Sequence, residues 1–393
     1  IIIGAGVSGP TIAEHLTKNS INVLMLEAGQ SFNKNNYPSK EIDANSKLYW
    51  SGGIELNTSA SIGFLRPKVV GGGSIVNQAL LDRFDDIALD SWKEQAGIDF
   101  FNKTAMTPYY EMAEGGVHIQ EIPQKWRNEN ANIFAKGFDK NNYSYAPLVR
   151  AQKDCQYEKG YNCINCLAGC TIDSKQSSPV TTLKRALENG LTLKSNIEVT
   201  KLQEKRGVIT IWAKNKYNEE VIYQAGKIVL AAGAIGNSKL LLNSSYQKEL
   251  PMLGKNFYTH PQSMVLGIFK NKINAHLGPL QSLKSADHNF RVNNFKLENV
   301  FAPPVAISML LSGIGKSHYN MIRKITHMAC VEVAIRDTNP GEITTSSSGS
   351  LIIKKELDKK DRNTRKKGLQ AIHKIFKSTG AQEIVQGEFD IGL

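Results

Sequence analysis

The first part of the chain alternates between short apolar runs and amphipathic stretches. Residues 1–3 and residues 21–26 are apolar runs of the kind that forms buried parallel strands. Between them, residues 11–19 place their apolar side chains on one face, which predicts a helix. The order strand, helix, strand indicates a βαβ unit.

The last third of the chain has a different pattern. Residues 331–335 alternate as in a half-buried strand, and residues 350–353 read as a short strand after a turn signal at residues 339–342. Residues 368–379 predict an amphipathic helix. We therefore expect an antiparallel sheet covered by a helix. The apolar stretch 301–314 reads either as core or as the lining of a lipophilic substrate site.

Composition adds limits rather than a function. A length of 393 residues suits two or three domains, and no apolar run reaches the ~18 residues that span a bilayer. The net charge is +12 without a basic stripe interleaved with aromatic residues, which argues against nucleic acid as a partner. The basic run 354–367 reads as a solvated face or as a weak peripheral membrane contact. Both cytoplasmic and peripheral-membrane locations fit.

A glycine motif follows the first strand directly. Gly4, Gly6 and Gly9 match the pattern G-x-G-x-x-G, and Glu27 ends the second strand 18 residues later. The glycines allow a tight turn, close approach of a pyrophosphate and close helix packing, and the acid can bind ribose hydroxyls. The unit predicts a dinucleotide site without deciding between FAD and NAD.

A second glycine-rich segment narrows this choice. Residues 66–77 include three consecutive glycines, among them Gly72 and Gly73, and end in Asn77. The segment resembles the first signature of the glucose-methanol-choline (GMC) oxidoreductases, especially the cholesterol-oxidase-like and long-chain alcohol oxidase branch. The resemblance implies FAD as the cofactor, with Gly72, Gly73 and Asn77 near it and Leu80 beside the flavin ring. It disfavours an NAD-dependent dehydrogenase.

Two later segments extend the resemblance. Residues 228–236, which contain Gly233, and a helical stretch at 237–243 are similar to the returning FAD-domain strand and the second signature. That signature has Ser or Thr where Asn237 stands and Gly where Ser245 stands. Residues 197–199 look like the strand whose valine, here Val199, contacts adenine.

The resemblance implies an α/β fold: a three-layer, Rossmann-like FAD-binding domain and a second, α+β domain with an antiparallel sheet for the substrate. Residues 1–100 and 186–263 would form the FAD-binding domain, 101–185 a connecting cap with the cysteine cluster, and 264–393 the substrate domain. The implied reaction moves a hydride from a small-molecule alcohol to the flavin N5. Lipophilic alcohols are among the candidate substrates. The electron acceptor is left open among oxygen, a quinone and a protein.

The sequence offers no catalytic residue. None of the eight histidines matches the family's base, and the Gly-rich run at residues 387–393 resembles the one that precedes it. We therefore expect the catalytic His, and the final FAD-domain strand, beyond Leu393. An alternative is a non-catalytic flavoprotein remnant.

Cys163, Cys166 and Cys170 have C-x2-C-x3-C spacing. Structural thiols, an iron–sulfur cluster like that of some GMC sugar dehydrogenases, and a disulfide or zinc site all stay open.

Overall fold

The computed structural model describes residues 1–157 and 163–392, with only the backbone described at residues 163 and 164. The helices are α1 (Ser8–Lys18), α2 (Glu41–Leu48), α3 (Gly73–Val76), α4 (Asp86–Ala96), α5 (Lys103–Gly115), α6 (Glu129–Lys140), α7 (Cys163–Cys166), α8 (Thr182–Glu188), α9 (Gly233–Asn243), α10 (His288–Val292), α11 (Pro304–Leu310), α12 (Gly315–Ile322) and α13 (Lys359–Thr379).

The strands alternate with these helices along the chain. They are β1 (Ile2–Ile3), β2 (Leu24–Leu26), β3 (Glu55–Leu56), β4 (Ile62–Phe64), β5 (Ile119–Glu121), β6 (Tyr145–Pro147), β7 (Val149–Ala151), β8 (Thr192–Lys194), β9 (Glu198–Lys205), β10 (Val208–Lys214), β11 (Glu220–Ala225), β12 (Val229–Leu230), β13 (Gln262–Ile268), β14 (Leu283–Ser285), β15 (Phe295–Asn299), β16 (Met328–Ile335), β17 (Glu342–Thr345), β18 (Leu351–Lys354), β19 (Glu383–Gln386) and β20 (Asp390–Gly392).

A parallel sheet in the order β12–β1–β2–β8 forms the centre of a three-layer unit. On one face, Ala13 of α1 and Leu183 of α8 join a buried cluster with the sheet residue Ile2. On the other face, Leu202 and Ile211 of the antiparallel layer β9–β10–β11 pack beneath the sheet. This is the Rossmann-like architecture that the sequence predicts.

A larger sheet in the order β3–β4–β20–β13–β16–β15–β14–β6 forms the second unit, and β19 also pairs with β13. Helices α6 and α13 cover one face of it. The predicted antiparallel sheet with a covering helix is confirmed for the neighbouring strands β13, β16, β15, β14 and β6. However, β20 and β4 pair in parallel, and the predicted strand at residues 350–353 (β18) pairs with β17 in a separate two-stranded sheet. The larger sheet also takes β3, β4 and β6 from the first half of the chain, and the division into four sequence segments stays a prediction.

Burial of β16 differs from the expectation for residues 331–335. The prediction of a half-buried strand was wrong, because all eight residues of β16 are buried. The strand lies between β13 and β15, with α13 over one face, so that neither side reaches solvent. Polar positions such as Glu332 create the alternation without being exposed.

Two helices are longer than their patterns indicate. Helix α13 begins at Lys359 rather than residue 368, and the basic run therefore continues into its first half. Helix α9 begins at Gly233 rather than residue 237. In the described part of the chain, no helix combines the length and apolarity needed to cross a membrane.

Candidate functional site

The turn from β1 into α1 is built from glycines. Gly4 has a φ of 105°, and a Cβ there would lie 2.4 Å from the carbonyl oxygen of Ala231. A Cβ on Gly9 would lie 2.1 Å from the carbonyl oxygen of Gly4. Gly6 faces open space instead, with no atom within 4 Å of a Cβ. Gly4 and Gly9 therefore close the turn tightly, and Gly6 leaves room for a ligand.

The N-terminus of α1 borders this open space. Its N-cap residue Val7 makes no side-chain cap, and the first turn carries no acidic residue. The unpaired backbone N–H groups and the positive end of the helix dipole together favour an anion at this position. Ser8 and Gly9 supply such groups, whereas Pro10 carries no N–H.

Glu27 lies beside the same turn and is buried, with 8% of its surface exposed. Its Oε2 accepts a hydrogen bond from the backbone N–H of Ala5 at 2.8 Å, and its Oε1 accepts one from Gly29 at 2.7 Å. Burial raises the pKa of Glu27, and these two bonds act against that rise. Each oxygen retains a second lone pair that can accept from a ligand hydroxyl.

The second glycine segment lies directly against the first. Gly72 has a φ of 51°, and a Cβ there would lie 2.7 Å from Cα of Gly6. The N–H of Gly71 donates to the carbonyl of Ala5 at 2.7 Å. Gly73, the first residue of α3, faces open space. The structure thus joins two segments that are more than 60 residues apart in the sequence into one glycine-lined surface.

Asn77 and Leu80 follow this surface. Asn77 caps the C-terminus of α3 and is exposed, and its Oδ1 accepts from the N–H of Ala79 at 3.0 Å. Leu80 is half-buried and forms an isolated bridge with Arg150. Both residues therefore lie on the segment that leaves the glycine surface towards the large sheet.

Gly233 and Val199 lie on the other sides of the glycine surface. Gly233 has a φ of 74°, starts α9 and faces open space. Two residues before it, the carbonyl of Ala231 packs against Gly4. Val199 is half-buried on β9, whose lead-in is fixed by a bond from the N–H of Ile197 to the carbonyl of Glu27 at 2.8 Å. The predicted residues are thus distributed around one region rather than scattered over the fold.

Two polar residues that sequence reasoning missed support the glycine segments. Ser178 Oγ donates to the carbonyl of Gly6 at 3.1 Å. Lys175 is buried, and its Nζ donates to the carbonyls of Ile75 at 2.5 Å, Asn77 at 2.9 Å and Cys166 at 2.6 Å. No motif marks either residue, because the carbonyls of Gly6, Ile75 and Asn77 that they bind lie about 100 positions or more away in the sequence.

Lys175 also links the cysteine cluster to the glycine surface. Hydrogen bonding from Cys166, together with backbone N–H groups including that of Lys175, lowers the pKa of Cys170 to about 5. Among the described residues, no group of three or more His, Cys, Asp and Glu side chains is arranged to hold a metal ion. The iron–sulfur hypothesis also requires Cys163, whose side chain lies outside the described part.

His260 stands where the chain enters β13. It is exposed, yet the surrounding protein and the charge of Lys296 lower its pKa. Its imidazole is therefore neutral at neutral pH and can accept a proton.

Comparison with protein families places these segments in a known context. Residues 45–262 match the profile described as GMC oxidoreductase. A long-chain-alcohol oxidase of Arabidopsis thaliana is 24% identical, and the match covers 98% of this chain and 52% of that protein. An uncharacterized GMC-type oxidoreductase of Sinorhizobium fredii is 28% identical over 70% of this chain and 54% of its own length. The chain thus spans about half the length of these relatives.

Solved structures share the fold at lower identity. Pyridoxine 4-oxidase from Mesorbium loti aligns with a TM-score of 0.70 and 13% identity, covering 98% of this chain and 82% of that one. A formate oxidase of Aspergillus oryzae, described for its FAD modification, aligns with a TM-score of 0.70 and 16% identity, covering 97% and 81%. These alignments span both the three-layer unit and the large sheet.

Proposed function

The chain belongs to the GMC oxidoreductase family, and we propose that it binds FAD and serves the oxidation of an alcohol. The proposal for FAD is carried by the contact of Gly72 with Gly6. A pyrophosphate at the open side of Gly6 would lie at the N-terminus of α1, and the ribose would meet Glu27.

The individual residues fit this cofactor by their geometry. Gly6, Gly73 and Gly233 leave open space where a larger residue would occupy the ligand's place. Glu27 and Asn77 offer hydrogen-bonding side chains at two ends of the same region, and Val199 offers an apolar contact for adenine. We assign Gly4 and Gly9 to the shape of the turn, because their Cβ positions are filled by protein backbone. Leu80 would border the flavin ring.

When bound, FAD supplies the acceptor for the hydride of the alcohol. The protein orients the two partners and excludes water between them.

A lipophilic alcohol is the substrate class that the relatives favour, because several of them are named long-chain-alcohol oxidases. Within this chain, stretch 301–314 contributes mainly to the core, since Phe301, Ile307 and Leu311 are buried. Met309 and Ile314 are the exposed large apolar side chains in this stretch, and either could contact a substrate.

A substitution at Gly6 tests the FAD proposal. Gly6→Val places a Cβ where no protein atom lies within 4 Å and adds bulk to the proposed pyrophosphate space, so FAD affinity should fall at least tenfold, about 1.4 kcal/mol. Gly226→Val is the matched control, because Gly226 also has open space and an unstrained backbone but lies in the turn between β11 and β12.

Flavin absorbance during titration of the purified chain with FAD is the measurement. The unfolding midpoint of both variants should stay near that of the parent chain. An unchanged FAD affinity in Gly6→Val, or a parent chain that takes up no FAD, would refute the proposal.

A further inference from the structure

A polar row crosses the large sheet on the face turned away from α13. Val333 of β16 and Phe295 of β15 point to α13, since both would contact a Cβ on Gly368. Side chains alternate across a strand, and therefore Lys296, Glu298 and Glu332 point the opposite way. The register places Glu298 directly opposite Glu332, with Lys284 opposite Glu298 on the other side.

This face is connected to the glycine surface by the chain itself. Asp82, five residues after Asn77, forms an ion pair with Lys284 on β14. Asp82 also contributes to the electrostatic field at Lys296. The charge of Lys296 in turn lowers the pKa of His260. The polar face therefore borders the segment that leads away from the proposed flavin site.

The two carboxyl groups form a buried, charge-balanced support. Glu298 and Glu332 are 3% and 2% exposed and hydrogen-bond each other. Gln281 Nε2 donates to Glu298 Oε2 and, at 3.3 Å, to Glu332 Oε1. Burial and the charge of Glu298 raise the pKa of Glu332, which favours the protonated form of Glu332.

Lys296 stands on this support with part of its side chain exposed. Its Nζ lies 2.6 Å from Glu298 Oε1, yet the side chain remains 45% exposed although it projects from an interior strand. An ammonium group has three N–H donors, and a single carboxylate does not exhaust them. Ionic contact with Glu298 fixes the position of the head group and leaves donors for a ligand.

A second donor stands across a gap from Lys296. The register places Ala334 between Lys296 and Gln262, one strand away from each. Strands lie about 4.8 Å apart, so the backbones at Lys296 and Gln262 lie about 10 Å apart with Ala334 between them. We call the space above the Ala334 methyl group, between the two longer side chains, the notch. Ammonium and amide N–H groups on opposite sides of a notch match an acceptor with two oxygens, as a carboxylate has.

We infer that Lys296 and Gln262 form a subsite for the carboxylate of a hydroxycarboxylic acid, whose alcohol group would be the one oxidised. This inference rests on the proposed function for its reaction but not for its binding site. Glu298, Glu332 and Gln281 are positioning residues, since they hold Lys296 and do not face the notch. Glu298 lies beneath the ammonium group of Lys296, and the N–H donors on the other side of that group can meet an incoming anion.

Two ligands of ten carbons and one short acid test the subsite by isothermal titration of the FAD-supplemented chain. Decanoate carries the carboxylate, decan-1-ol lacks it, and butyrate tests the head group without a long tail. Lys296→Met keeps the aliphatic stem and removes the donors. We expect at least a tenfold loss of affinity for decanoate and butyrate, and no change for decan-1-ol. Gln262→Leu, which leaves no uncompensated charge, should lose part of the carboxylate affinity.

Lys324→Met is the control. Lys324 is 44% exposed and also paired with a carboxylate, Glu383 at 2.8 Å, but it lies outside this face. The Lys324→Met variant should bind all three ligands with the affinities of the parent chain. The inference would be overturned if Lys296→Met lost affinity equally for decanoate and decan-1-ol, or if Lys296→Met and Gln262→Leu both kept the carboxylate affinity of the parent. A parent chain that binds neither decanoate nor butyrate would also overturn it. FAD titration of the same samples tests the proposed function separately.

Discussion

Replacing Gly72 by alanine should damage the FAD site more than the fold. Gly72 has φ 51° and ψ −136°, a combination essentially restricted to glycine, and a side chain there costs about 1–3 kcal/mol in backbone strain. The added Cβ would also lie 2.7 Å from Cα of Gly6. Neither this Cβ nor Cα of Gly6 can turn away by a side-chain rotation, and therefore one of the two glycine loops must move.

Gly97→Ala separates strain from contact. Gly97 ends α4 with φ 64° and ψ 27°, and its Cβ would meet open space. Alanine there pays only the left-handed backbone cost of about 1–2 kcal/mol. We expect comparable losses of unfolding free energy from strain in both variants. Only Gly72→Ala should also weaken FAD binding, by about tenfold or more if the displaced loop costs ~1.4 kcal/mol of affinity.

Urea unfolding and FAD titration of both variants provide the measurements. The slope of unfolding free energy against urea should stay constant, so that midpoints can be compared directly. If Gly72→Ala bound FAD as tightly as Gly97→Ala does, the packing of the two glycine loops would have no role in the site.

Three further predictions concern other parts of the chain. The Arg185 guanidinium holds the pKa of Glu14 below its usual 4.5. The ion pair therefore stabilises the fold above pH 4.5, and this contribution is lost as the pH falls through the lowered pKa. Glu14→Gln should lower the free energy of unfolding by about 1–3 kcal/mol at neutral pH, and its unfolding curve should converge with that of the parent in acid. Cys170 should be a thiolate at neutral pH, seen as ultraviolet thiolate absorbance that titrates at about pH 5 and is absent in Cys170→Ser. Gly368→Ala should destabilise the fold although alanine is about 1 kcal/mol better in a helix, because its Cβ would lie 2.3 Å from Cγ2 of Val333; a raised melting temperature would contradict the packing described for α13.

Local patterns predicted those features that depend on neighbouring residues. The glycines of the first turn and the acid at the end of β2 have fixed spacing because one βαβ unit contains them all. The antiparallel unit was also predictable, since strand and helix periodicity appear directly in the sequence. Burial of β16 was not, because it depends on which strands lie on either side of residues 331–335.

Long-range contacts account for what the sequence could not show. Gly72 reads as flavin-binding by resemblance alone, and its contact with Gly6 appears only after folding. Lys175 carries no motif, yet its ammonium group holds two carbonyls of the glycine loop together with that of Cys166. A buried lysine acting on backbone carbonyls leaves no side-chain pattern to detect.

The carboxyl pair on the large sheet is a further feature that depends on long-range contacts. Glu298 and Glu332 are 34 positions apart, and each alone reads as an ordinary polar position in a strand. The register of β15 and β16 places them side by side, and burial together with the charge of Glu298 raises the pKa of Glu332. Burying two carboxyl groups is costly unless they share a proton and gain a counter-ion. Lys296 meets that need by its contact with Glu298, yet 45% of its side chain stays exposed. A counter-ion that is paired below and exposed above can also meet a ligand, and this exposure is what the inference rests on.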